Sequence, residues 1–154
     1  MSAAESVVLV ADSARARLFD APTPTAALHE IEDLSNPVAR LHEGDLVADR
    51  AGVKHGRSAQ VHGGSMTAGA DAYGGGGMRD HRVEEFAKSV CERLADTVRR
   101  TDAERVYIVA EPQFLGLLRA RMDAPLRRRV AGEIAKSIAG KPPDEIRRAL
   151  PPRL

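Results

Sequence analysis

"LRRRVAGEIAKSIAG", Leu126 to Gly140, is the stretch on which the fold turns. Its alanines and long side chains favour a helix. Val130, Gly132, Ile134, Lys136 and Ile138 instead alternate as they would in a strand. Read one way, the stretch joins a covering layer of helices. Read the other way, it adds a strand to a sheet. The residues alone leave both readings open.

Working outward, the flanking elements are clearer. "RVYIVAE", Arg105 to Glu111, is a buried strand, and "PQFLGLLRARM", Pro112 to Met122, is a helix with proline at its start. "PPDEIRRAL", Pro142 to Leu150, is a short terminal helix. "DHRVEEFAKSVCERLADTVRR", Asp80 to Arg100, has Val83, Phe86, Ala87, Val90, Cys91, Leu94, Ala95 and Val98 at helical spacing. Asp80 suits its N-cap, and Arg99 and Arg100 complement the dipole at its C-terminus.

At the other end, "SVVLVA", Ser6 to Ala11, is a continuous β-branched run of the kind a buried strand needs. Asp12 to Ala14 has turn chemistry. "RARLFDA", Arg15 to Ala21, alternates, with Ala16, Leu18 and Asp20 opposite Arg15, Arg17 and Phe19, and closes a hairpin. "ALHEIEDLS", Ala27 to Ser35, offers a third strand, with Leu28, Glu30 and Glu32 opposite His29, Ile31 and Asp33, or alternatively a short helix. From Asn36 to Arg79 the pattern fails and glycine dominates, which predicts one long loop ending in Gly74 to Gly77. Loops of that length inside a compact domain are uncommon and are usually functional or disordered.

Bulk properties narrow the class. The chain of 154 residues suits one domain, 1–154, without internal repeats. Aromatics make up 3% with no Trp, so the core is aliphatic and platforms for base stacking are few. The net charge of +1 confines any nucleic-acid contact to a local patch. A single cysteine, Cys91, excludes an internal disulfide and a cysteine-rich zinc site. No signal peptide or membrane span is read, so a cytoplasmic protein without membrane contact is expected.

Four stretches together resemble the bacterial host attachment protein family: Val8 to Phe19, Leu34 to Gly52, Glu84 to Leu94 and Val109 to Arg119. That family is similar to the central domain of the archaeal and eukaryotic class-1 release factor, a ribonuclease H-like α/β fold. The resemblance implies a single three-layer domain with a five-stranded mixed sheet, a β-meander followed by βα units. It also implies that Arg129 to Ile138 is a strand, with Val130, Ile134 and Ile138 facing one layer.

The release-factor loop before the long helix reads Lys-His-Gly-Arg-Gly-Gly-Gln. This chain has Lys54, His55, Gly56, Arg57, Ser58, Ala59 and Gln60 at that place in the order of elements. In the release factor the paired glycines let the backbone present the glutamine N–H to the reacting ester. Ser58 and Ala59 do not reach positive φ cheaply. The resemblance therefore implies lost peptide release and a retained basic approach to RNA phosphate. Lys54, His55, Arg57 and Gln60 are the RNA-binding candidates, and Arg15 and Arg17 extend the patch.

Other constellations are weaker. Asp12 follows one strand and Glu111 ends another, and they could converge on a divalent metal; the plainer reading has Asp12 make the hairpin turn and Glu111 precede a helix. His42, His55, His62 and His81 lack ligand spacing. Gly74 to Gly77 lack the Lys-Ser/Thr ending of a phosphate loop and read as a hinge. Arg127 to Arg129 read as solvated surface or as a phosphate contact. No catalytic residue, metal or cofactor is assigned. The leading expectation is a non-catalytic module contacting the ribosome, tRNA or structured RNA. An indirect factor for attachment to host cells and a metal-dependent nuclease or hydrolase are the alternatives.

Overall fold

The computed structural model describes residues 4–37 and 61–154, with 61–79 described by their backbone alone. Its strands are β1 (Ser6–Ala11), β2 (Arg15–Ala21), β3 (His29–Ser35), β4 (Arg105–Ala110) and β5 (Val130–Ala135). They form a five-stranded sheet in the order β3-β2-β1-β4-β5. The meander pairs antiparallel, from Ser6 opposite Ala21 to Ala11 opposite Ala16. The later strands pair parallel, with Ser6 beside Arg105 and Ala11 beside Ala110. A mixed sheet is what a hairpin meander followed by βα crossovers must produce.

Helix α1 (Val61–Thr101) precedes β4, α2 (Pro112–Arg121) follows it, α3 (Ala124–Arg129) leads into β5, and α4 (Pro143–Ala149) comes last. One core lies on the face of Val7, Leu9, Leu18 and Ile108, against Phe86, Val90 and Leu94 of α1 and Phe114 and Leu118 of α2. A second core lies on the other face, where Val8, Val10, Phe19 and Val109 meet Ile146 of α4 and Leu154. Every residue of β1 is buried, because a central strand is covered on both faces. Among the described residues no helix is long and apolar enough to cross a membrane.

Several expectations are corrected. The long helix begins at Val61, so Asp80 does not cap it, and Gly74 to Gly77 lie inside it rather than in a hinge. Glycine weakens a helix by about 1 kcal/mol relative to alanine, but extending an existing helix avoids the cost of nucleation. Residues 61–79 of the loop expected over 36–79 are therefore helical, and 38–60 lie outside the described residues. Asp102, at φ 54°, stops the helix in the left-handed region that Asp tolerates better than most residues.

The opening stretch contains both of its readings in sequence. Arg129 closes a helix and Val130 begins the strand, which ends at Ala135 rather than Ile138. The register slips between Val106 and Tyr107, so Val106 pairs with Val130 and Tyr107 with Gly132. Ala131 is the extra residue. A bulge flips the faces beyond it. Val130 therefore packs on the α1 side, while Ile134 and Ile138 pack on the α4 side.

The same device alters β3. Its register slips at Leu18/Phe19, pairing Leu18 with Glu32 and Phe19 with Glu30. Glu30 and Glu32 consequently lie on opposite faces, not on one.

Candidate functional site

Open α/β sheets bind ligands beyond the carboxyl ends of their parallel strands. Here that edge holds Asp12 after β1 and Glu111 after β4, which the parallel register places side by side. Glu111 N–H donates to the Ala11 carbonyl at 3.3 Å. The backbones that carry the two candidate carboxylates are thus neighbours at this edge.

Both are engaged in local structure. Asp12 Oδ1 accepts from the N–H of Ala14 at 2.8 Å and of Arg15 at 2.9 Å, shaping the hairpin turn. Asn36 Nδ2 donates to the Ser13 carbonyl at 3.0 Å, and Asn36 N–H donates to Ala14. Glu111 is the N-cap of α2 and accepts from Phe114 N–H at 3.0 Å and from Gln113 N–H. A side-chain oxygen at the N-cap satisfies donors that the helix leaves open. Among the described residues no group of three His, Cys, Asp or Glu side chains is placed to hold a metal ion.

The basic candidates separate. Lys54, His55, Arg57 and Gln60 lie outside the described residues. Arg15 is half-exposed and makes a two-pronged pair with Asp33, at 2.8 and 3.0 Å. That pairing raises the guanidinium pKa further. Arg17 is only 5% exposed. Its Nε and Nη2 grip both oxygens of Glu30, and Nη1 donates to the carbonyls of Ala139 and Lys141. The guanidinium lies 5.1 Å over the Phe19 ring. Arg17 therefore clamps the segment after β5 onto the sheet and presents no free fork to a phosphate. Sequence alternation places Arg17 on the same face as Phe19 but does not reveal that this face is covered.

Cys91 lies on α1 beside a small groove with Lys88, Arg99 and Arg121. Its thiol donates to the Leu118 carbonyl at 3.5 Å, and burial pushes its pKa up to about 11. The thiolate is the nucleophile, so this cysteine is inert near neutral pH.

A family model described as "Protein required for attachment to host cells" matches residues 7–150. The chain belongs to that family. The match runs from Val7 in β1 to Leu150, just past α4, and takes in both cores except Leu154. A comparison with curated proteins gives no significant match.

Proposed function

We propose that this host-attachment family member acts in attachment to host cells as a binding protein rather than through bond-making chemistry. The family match over residues 7–150 carries this reading. The structural use of Asp12 Oδ1 and of both Glu111 oxygens, which accept backbone N–H groups of the hairpin turn and of α2, supports its binding character. A cytoplasmic location would make the role indirect.

Deletion and complementation test it. Removing the gene should reduce adhesion of the source cells to host surfaces, and the wild-type chain should restore it. The paired variant Asp12→Asn, Glu111→Gln keeps the shapes and should restore it equally. Loss of adhesion with a folded variant would favour the metal-dependent hydrolase. Unchanged adhesion after deletion would overturn the role itself.

A second reading rests on the string Lys54 to Gln60, whose order resembles the release-factor loop. In it, Lys54, His55, Arg57 and Gln60 approach RNA phosphate on the ribosome or tRNA, without peptide release. Replacing Lys54 and Arg57 with alanine should then abolish co-sedimentation with ribosomes at low salt and flatten its salt dependence. Ribosomes that fail to retain the wild-type chain would exclude this reading.

A further inference from the structure

β5 is an outer strand: it pairs with β4 on one side and has no described strand on the other. Such a strand offers unpaired N–H and C=O groups along its free side. The bulge at Ala131 disturbs only its beginning. Gly132 to Ala135 run in unbroken register with Tyr107 to Ala110.

A groove of about 640 Å³ lies beside this strand. Met122, Val130, Ala131 and Gly132 line it with apolar surface, and Arg119 and Arg127 bring guanidinium groups to it. The surrounding charge is lopsided. Residues 119–136 contain six cations, Arg119, Arg121, Arg127, Arg128, Arg129 and Lys136, and two carboxylates, Asp123 and Glu133, in a chain whose net charge is +1. Glu133 is held by Arg119 at 2.7 Å. Arg127 donates to the Arg119 carbonyl at 2.9 Å, which aims it without neutralising it. Among the described residues, no carboxylate pairs with Arg121, Arg127 or Arg128.

We propose that this edge docks an extended acidic peptide segment of a partner protein, added as a sixth strand beside β5. Strand addition draws its affinity from main-chain hydrogen bonds and its specificity from alternate side chains. Here one set of side chains would rest on Met122 and Val130. Carboxylates flanking them would meet Arg127 and Arg128 in charge-assisted, two-pronged bonds. An apolar floor beside free backbone groups suits a peptide better than a nucleic acid. Among the described residues no aromatic ring lines the groove to stack a base. The proposal does not depend on the residues of the release-factor-like string.

The test uses the full chain and a fluorescent peptide of alternating glutamate and valine, with fluorescence anisotropy as the readout. The peptide should bind, and the exposed double variant Arg127→Glu, Arg128→Glu should bind at least about tenfold more weakly while keeping its circular dichroism. A peptide with lysine in place of glutamate, and oligouridine, should fail to compete. The proposal is overturned if the glutamate peptide binds no better than the lysine peptide. It is equally overturned if the folded double variant binds unchanged. Displacement by oligouridine would assign the arginines to nucleic-acid phosphate instead, and would also overturn it.

Discussion

The two outer strands of the sheet handle charge in opposite ways. β3 carries Glu30, Glu32 and Asp33, and each is met from within the molecule, by Arg17, Arg93 and Arg15 respectively. The helix leading into β5, α3, carries Arg127, Arg128 and Arg129, and among the described residues none of the three meets a carboxylate, whereas Arg119 of α2 holds Glu133 of β5. At β3 the charges tie strand to strand and strand to helix. Beside β5, Arg127 and Arg128 are exposed and Arg127 lines the groove, while Arg129 is tied to the Ala103 carbonyl. The contrast separates charge that serves the fold from charge available to a partner.

The inner strands set the scale against which either edge is judged. Leu9 of β1 is fully buried, and Leu9→Ala should cost about 2–5 kcal/mol in urea unfolding. Next comes Arg17. Arg17→Ala removes the partner of Glu30 and strands the carbonyls of Ala139 and Lys141, at a cost of about 2–3 kcal/mol. If Arg17→Ala proved as mild as a surface change, the β3 edge would not be internally clamped and the contrast would fail.

A pH effect separates the buried thiol from the edges. Cys91 has a folded pKa raised to about 11, so folding favours its protonated form. Below the ordinary thiol value that preference contributes fully. It is lost as pH rises through the folded value, because the unfolded chain has already released its proton. Stability should therefore fall over this alkaline window, and Cys91→Ala should show a shallower fall than wild type. Equal slopes for the two proteins would contradict the assignment.

The smallest effects belong to exposed arginines. Arg15→Ala breaks a half-exposed pair and should cost less than about 1 kcal/mol. Arg128→Ala should change stability by less than about 0.5 kcal/mol. Thermal melts of both, beside Arg17→Ala, would sharpen the division between clamped and free guanidinium groups.

The centre of the sheet was legible in the sequence because β1, β2 and β4 follow simple rules. Continuous apolar runs mark β1 and β4, and alternation assigns Leu18 and Phe19 to opposite cores. The helical face of Phe86, Val90, Leu94 and Val98 is also read correctly from its spacing. Both outer strands defeated the same reasoning. Each contains a one-residue slip, and alternation read through a bulge assigns the wrong face to everything beyond it. Gly132 marks one of these places. A Cβ there would approach the Tyr107 ring to 3.2 Å, a constraint visible only once strands are paired. The carboxylates Asp12 and Glu111 were correctly identified as neighbours of strand ends. The turn role of Asp12 is its plainer sequence reading, whereas the capping of α2 by Glu111 depends on a side-chain rotamer that spacing does not encode. The groove at β5 was visible only as the run Arg127 to Arg129, because Arg119 and Met122 reach it through the turn between two helices.

The difference between the edges is tested most directly by backbone amide chemical shifts of the isotope-labelled chain as the glutamate–valine peptide is added. The account predicts changes concentrated in β5, from Val130 to Ala135, with the β3 amides of His29 to Ser35 unmoved. Changes concentrated in β3, or spread evenly over both edges, would contradict it.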